Sequence, residues 1–418
     1  MKRKDFYMKT LRQDADRIIA HSIRQVLPDQ ALLNKLETLE IPQKHLILIA
    51  VGKASWQMAA TAKEFLKDRI ENGIVITKHG YSKKDIPGLT IYEAGHPVPD
   101  KDTFDATAKV LDLVKNLTTD HAVLFLLSGG GSALFEAPLV PEEEMMNITN
   151  QLLECGAGIV EINTIRKRLS GVKGGKFALA CAPAHVYNIV LSDVIGDPLD
   201  MIASGPTVED RSTCEQAEYI VKKYDLKLSK KAMECIQKET PKKLTNVTHS
   251  IIGSVKFLCE AARSMCEELG YRTEILTTSL ECAAKDAGSF LSSIARDHQD
   301  TKESLAYIAG GETIVYVTGN GKGGRNQELA LAAAPAISHL DHVAVFSVGS
   351  DGTDGPTDAA GGYVDGKTVD LLAKKGIKVE EILKDNNAYY ALGQSGGLIK
   401  TGPTGTNVND VSVVLIRR

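Results

Sequence analysis

Long apolar runs are missing from this chain: no stretch approaches the ~18 residues that a membrane-spanning helix needs. The opening residues, Met1, Lys2, Arg3, Lys4 and Asp5, are charged, unlike the apolar core of a secretory signal. Cysteine is sparse. The seven cysteines are odd in number, scattered, and never spaced C-x-x-C, so neither a disulfide framework nor a zinc site is expected. Together these absences predict a cytoplasmic protein with no membrane partner. No excess of one charge exists either, since 49 Lys and Arg stand against 53 Asp and Glu, a net −4. That balance argues against a nucleic-acid surface. The Walker A pattern G-x-x-x-x-G-K-[ST] is also absent, so any nucleotide is held by other means. Internal repeats and low-complexity segments are lacking.

What is present points to an α/β enzyme. At 418 residues the chain exceeds one ordinary core, and two domains are the default. Residues 5–36 show apolar positions at helical spacing, among them Leu11, Ile18, Ile19, Ile23 and Val26. Residues 45–51 read as a buried strand that delivers Gly52 and Lys53 into a helix. A cation at a helix N-terminus opposes the helix dipole, so Lys53 is either a solvated helix end or the partner of a bound anion. Residues 123–127 form a second buried strand that runs at once into Ser128, Gly129, Gly130, Gly131 and Ser132. Three glycines flanked by hydroxyls aim several N–H groups at one point, which suits a phosphate or carboxylate better than a plain turn.

The cations Arg166, Lys167, Arg168, Lys173 and Lys176, interrupted by Gly174 and Gly175, read equally as a solvated basic face or a phosphate-facing loop. Asp193, Asp197 and Asp200 follow the apolar residues 186–191. Carboxylates in that position suit a Mg²⁺–nucleotide site, or form ordinary turns. His96, beside Pro97 and Pro99, is a lesser candidate. Residues 212–248 are charged and helical and are expected to hold the domain boundary. A second series of strands and helices starts near Ser250, with strands expected at 273–277, 305–309 and 313–317 and at the closing 411–416. Gly319-x-Gly321-x-x-Gly324 fits the dinucleotide fingerprint literally and would favour hydride transfer. Lys322 and Arg325 crowd it, however, and the next acid comes about ten residues too late for a ribose-binding residue. Gly393-x-Ser395-x-Gly397 lies between helix and strand in the wrong order for a nucleophile elbow. Cationic glycine loops with aspartates fit phosphoryl transfer better than hydride transfer.

At these loops the chain resembles the class II glycerate kinases. In the first half the matching residues are Leu127 to Glu136, Asn163 to Ser170 with Lys173 to Gly175, and Leu191 to Asp197 with Ala203 to Pro206. In the second half, Gly310 to Thr313, Gly323 to Glu328, Asp351 to Gly361 and Gly402 to Asn407 resemble the family's second, MOFRL domain. The resemblance implies a Rossmann-like parallel-sheet α/β domain with helices on both faces, taken as 1–245, and a smaller mixed-sheet α/β domain, taken as 246–418. Their cleft would hold the site.

The implied reaction is ATP- and Mg²⁺-dependent phosphorylation of D-glycerate to 2-phosphoglycerate. Lys53 and Arg325 match family positions expected to be catalytic, and Asp193 is placed with them. ATP phosphates are expected over Ser128, Gly129, Gly130, Gly131, Ser132, Lys173, Gly174 and Gly175. Arg166, Asn326 and Glu312 are expected on substrate, and Asp193, Asp197 and Asp351 on metal. Partners are then the small molecules D-glycerate and ATP, with a homo-oligomer left open. The rival expectations are a hydroxypyruvate reductase and, less favoured, a nucleotide-binding regulator without activity.

Overall fold

The structure, a computed structural model, describes residues 2–418, with side chains from residue 11 onward. It divides into two compact units, Leu32–Ile252 and a second made of Met1–Ala31 with Gly253–Arg418.

The first unit is built on six strands: β1 His45–Val51, β2 Ile70–Lys78, β3 Thr90–Ala94, β4 His121–Leu127, β5 His185–Leu191 and β6 Val247–Gly253, in the order β3-β2-β1-β4-β5-β6. Pairs β1/β2, β1/β4, β2/β3 and β4/β5 are all parallel. In β1, β4 and β5 every residue after the initial histidine is buried, as strands covered on both faces require. The sheet core joins Ile49, Phe125 and Val190 to Phe135 and Phe177. A second core, around Ile148, Leu152, Ile165, Leu169 and Ile220, fastens a group of helices that includes Ile159–Leu169 and Cys214–Lys223.

The second unit carries β7 Arg272–Leu280, β8 Leu305–Gly311, β9 Val343–Gly349, β10 Gly361–Asp365, β11 Leu398–Ile399 and β12 Asp410–Ile416, in the order β11-β10-β9-β12-β8-β7. Only β7/β8 is parallel, while β12 runs antiparallel to both β8 and β9. An α/β fold with one parallel and one mixed sheet is therefore what the chain adopts.

The expected domain division at 245/246 differs from the observed units at both ends. The helix Lys2–Gln25 belongs with the second unit, because its stripe of Leu11, Ile18 and Ile23 is buried and contacts the helix Val255–Glu268. Asp14 fixes it there, accepting from the Tyr271 hydroxyl at 2.7 Å and from Arg417 at 3.2 Å. At the other end, β6 is an edge strand of the first sheet rather than the opening of the second, and the helices in 212–248 pack into the first unit's own core. No strand forms at 313–317: only Ile314 makes an isolated bridge, to Ala283, and Tyr316 and Val317 stay exposed. Strand-forming composition without a sheet neighbour does not make a strand.

Candidate functional site

In the first sheet the chain order reverses between β1 and β4. Ligands of open α/β sheets bind at the carboxyl ends of strands on either side of such a reversal. Lys53 follows β1 and the triple glycine follows β4, so both lie at that point. Their turns are bonded together. Ser128 N donates to Val51 O at 2.9 Å, Lys53 N to Gly129 O at 2.9 Å, and Ala54 N to Ser128 Oγ at 3.1 Å. The Ser128 side chain, 2% exposed, is thereby occupied in joining the turns, which replaces its expected phosphate contact.

The glycines are explained by what closes in on them. A Cβ on Gly129 would run into the Asp193 carboxylate. One on Gly130, which sits at φ +89°, would stand 3.0 Å from His96 Cδ2 and 3.3 Å from Lys53 Cγ. Asp193, His96 and Lys53 thus gather around one glycine turn from three different strand ends. Among the described residues no backbone carbonyl accepts from the N–H groups of Gly129 or Gly130, and Gly131 and Ser132 open the short helix Gly131–Leu134, whose first N–H groups have no carbonyl partner within the helix. Lys53 likewise has no salt bridge there, and the helix it precedes, Ser55–Leu66, has no acidic residue in its first turn. Burial, then the charges of Lys53 and Lys78, holds the His96 pKa below its usual 6.5, so its ring is neutral at pH 7. The N–H groups of this turn, the Lys53 side chain beside Gly130 and the Asp193 carboxylate beside Gly129 are together the chemistry that receives an anion and its counter-cation.

The basic stretch does something else. Arg166, Lys167 and Arg168 fall in the last turn of the helix Ile159–Leu169, where cations complement the dipole. Lys176 Nζ caps that helix end, donating to Lys167 O at 2.9 Å and Ser170 O at 2.6 Å. Lys167 and Arg168 turn inward to Asp210, at 3.3 and 3.7 Å. Lys173 is fully buried, and its ammonium donates to Ser132 O at 2.9 Å, Phe135 O at 3.1 Å and Ala203 O at 3.4 Å, with Glu136 Oε2 at 3.6 Å. Burial pushes its pKa down to about 8. Gly174 N and Gly175 N donate to Ser204 O at 3.0 Å and Gly205 O at 2.8 Å.

The phosphate contacts expected of Lys173, Gly174 and Gly175 are therefore replaced by internal bonds. These residues clamp the far side of the glycine turn. Arg166 joins them by donating to Ser132 O at 3.0 Å. Glu136, fully buried and given no role of its own by the sequence, is the counter-charge of this clamp. Its signals were its place at the end of the matching stretch Leu127 to Glu136 and a lone glutamate after the apolar Leu134-Phe135 step.

After β5, Asp197 holds a left-handed backbone at φ +54°, and its buried Oδ1 has no hydrogen-bond partner. An orphaned carboxylate oxygen close in sequence to Asp193 fits a hard cation such as Mg²⁺, which takes oxygen ligands. The one cluster of three metal-type side chains with ligand atoms within 4.8 Å, among the described residues, is His79, Asp100 and Asp102. Asp100 there caps a helix, accepting from Thr103 N at 2.9 Å.

In the second unit, Arg325 opens the helix Arg325–Ala333. Its fork grips Asp410 at 2.5 Å (Nε–Oδ2) and 3.1 Å (Nη2–Oδ1), and Nη1 reaches Glu312 Oε1 at 2.8 Å. Register explains the meeting: Asp410 starts β12 opposite both Gly311 of β8 and Gly349 of β9. Burial raises the Asp410 pKa to about 6 against the pull of Arg325. Asp354 caps the same helix through Asn326 N at 3.1 Å and Gln327 N at 2.9 Å. The dipole objection to a cation at this helix start is thus met locally for Arg325 but not for Lys53.

Asn326 is 1% exposed, and its amide oxygen accepts from Ser347 Oγ at 2.5 Å, so the expected substrate contact gives way to a packing role. Glu312 keeps 45% side-chain exposure beside Arg325 and also accepts from Asn409 Nδ2 at 3.0 Å. Asp351 is partly exposed and accepts from Thr353 N at 3.0 Å. Asp410 and Asn409 escaped the sequence reading, though two polar residues directly before an apolar closing strand were a usable mark.

The literal fingerprint at Gly319 follows an irregular stretch, not a strand, and a Cβ at Gly319 or Gly321 would strike the backbone of Asp385. Its glycines serve chain packing, so the structural context of a dinucleotide site is missing.

The described helices include none long and apolar enough to cross a membrane. Residues 14–237 match the family described as "Domain of unknown function (DUF4147)", and residues 305–410 match the MOFRL family. A D-glycerate 2-kinase of Thermotoga maritima is 50% identical over 98% of this chain and 100% of the relative. A crystal structure of a glycerate kinase from that organism superposes with a TM-score of 0.95 over 98% of this chain and 100% of that one. A glycerate 2-kinase of Pyrococcus horikoshii is 40% identical over 97% of each chain. A protein of Agrobacterium vitis named putative hydroxypyruvate reductase is more distant, at 34% identity over 97% of this chain and 94% of its own length.

Proposed function

The chain belongs to the class II glycerate kinase family, and from that premise we propose that it transfers the γ-phosphoryl group of ATP to the 2-hydroxyl of D-glycerate with Mg²⁺. The observation that carries this reading is the crevice at the β1/β4 reversal. There the Lys53 side chain lies beside a glycine turn whose N–H groups meet no backbone carbonyl. Phosphoryl transfer asks a protein mainly for positioning and charge neutralisation, and that is what this crevice offers.

In this reading the N–H groups of Gly129, Gly130, Gly131 and Ser132 cradle phosphate oxygens. Lys53 offsets the charge of the transferring group. Asp193 and Asp197 would hold the Mg²⁺, which supplies charge neutralisation to the nucleotide phosphates. Arg166 and Lys173 keep the turn in shape from behind. Arg325, steered by Asp410 and Glu312, presents a cation to the carboxylate of glycerate, with Asp351 on the same sheet edge. ATP as donor, Mg²⁺ as metal and a cytoplasmic setting follow from this reading.

The test is ADP release on mixing the protein with ATP, D-glycerate and MgCl₂, beside a parallel assay of NADH with hydroxypyruvate. ADP should appear only when glycerate and metal are both present. NADH consumption faster than ADP release would replace the kinase by a reductase.

A further inference from the structure

Nothing in the crevice itself accounts for how the base of a nucleotide is held. The first unit has a cavity of about 560 Å³ between the helices Ile159–Leu169 and Cys214–Lys223 and the loop after β5. Its size, and a lining that sets Val160, Met201, Tyr219 and Ile220 among polar and charged side chains, suit a small amphipathic organic ligand. We propose that this cavity takes the base and ribose of the phosphoryl donor, a purine nucleotide. The proposal rests on the kinase reading above.

One loop connects the cavity to the crevice. Asp193 at its start lies against Gly129, and Ala203 near its end lies against Gly131, where a Cβ would stand 2.9 Å from the Ala203 Cβ. Asp200 and Met201, between those points, line the cavity. Met201 is two residues from Ala203, so at most roughly 7 Å of chain separates the cavity wall from the glycine turn. A nucleotide spans such a distance with its ribose and phosphates.

The lining has the matching chemistry. Tyr219, 64% exposed, and Val160, 64% exposed, offer an aromatic face and an apolar rim, as a planar base requires. Met201 adds a polarizable thioether. Asn163 is 5% exposed; its oxygen is taken by Ser204 Oγ at 2.9 Å, while its Nδ2 points at Met201 Sδ, 3.6 Å away. Sulfur is a weak acceptor, so this amide gains by donating to a ring nitrogen or carbonyl of a base. Asp200, with 45% of its side chain exposed and Lys167 at 3.5 Å, has acceptor capacity left for ribose hydroxyls.

Val160→Trp fills the mouth of the cavity and Tyr219→Ala removes its aromatic face. Both positions are exposed, so folding should survive. Calorimetric titration with ADP is expected to show about 10-fold weaker binding in each variant, with KM for ATP raised by a similar factor and KM for D-glycerate unmoved. Inorganic tripolyphosphate, which has no base, should inhibit wild type and variants equally. Unchanged ADP affinity in both variants would overturn the proposal, as would an equal loss of tripolyphosphate inhibition. If the wild type released no ADP with D-glycerate, the kinase reading alone would fail, and the ADP titrations would still decide the cavity.

Discussion

Replacing Lys53 by methionine keeps the length and apolar bulk of the stem and removes only the charge. A unit charge ~4 Å from a phosphoryl oxygen is worth about 4 kcal/mol at the effective dielectric of a partly solvated site. Spent on the transition state, that corresponds to roughly 10³-fold in rate. Part of it is already felt by the bound ground state, so a fall in kcat of roughly 10²- to 10³-fold is expected under saturating ATP and D-glycerate, followed as ADP release.

Stability should move the other way. The ammonium precedes a helix with no acid in its first turn, an arrangement that costs about 0.3–1 kcal/mol, so the variant should melt at the same or a slightly higher temperature. His96 supplies a readout independent of activity. Its pKa is held down by burial first and by Lys53 second, so in Lys53→Met an NMR titration should find it closer to 6.5. A histidine depressed in this way contributes stability that is present above pH 6.5 and is lost as the pH falls through its folded value, because the unfolded chain takes up the proton first. That loss should be smaller in the variant. Turnover within a few-fold of wild type, or an unmoved His96, would show that Lys53 is a solvated helix end.

Lys173→Met strands Glu136 and three carbonyls inside the protein, and should cost about 3–5 kcal/mol by chemical denaturation, with much of it recovered in Lys173→Met/Glu136→Leu. Because the folded Lys173 gives up its proton at about 8, its contribution to stability should rise as the pH climbs from 8 towards the ordinary lysine value, and this rise should vanish in the variant. Asp193→Asn and Asp197→Asn should each raise the Mg²⁺ concentration for half-maximal rate while the melting temperature holds; unchanged metal dependence in both would remove this loop from the site. Arg325→Met should lower kcat by roughly two orders of magnitude. In the wild type kcat should also fall as the pH drops through about 6, where Asp410 takes up a proton and releases Arg325, and Asp410→Asn should abolish that acid limb.

Much of the fold was legible because buried parallel strands announce themselves as apolar runs, and the turns after β1 and β4 carry their glycines in sequence. The position of Lys53 was readable for the same reason, since strand, glycine and helix are contiguous. Direction of charge was not. Arg166, Lys167, Arg168, Lys173 and Lys176 look like a phosphate-binding patch until their carbonyl and carboxylate partners are known; Lys176 turns back on the helix end beside it, and the others reach partners dozens of residues away at Ser132, Glu136, Ala203 and Asp210. Asp410 was hidden likewise, because its meeting with Arg325 depends on the register of β12 between β8 and β9. The helix Lys2–Gln25 shows an apolar stripe in sequence, but a stripe does not say which core it covers.

The central claim is phosphoryl transfer to the 2-hydroxyl of D-glycerate, and the position of the new phosphate tests it most directly. With ATP, Mg²⁺, D-glycerate and added enolase, the account predicts phosphoenolpyruvate at the rate of ADP release, since enolase dehydrates 2-phosphoglycerate without a further step. Phosphoenolpyruvate that appears only after a phosphoglycerate mutase is supplied would mean transfer to the 3-hydroxyl, and would contradict it.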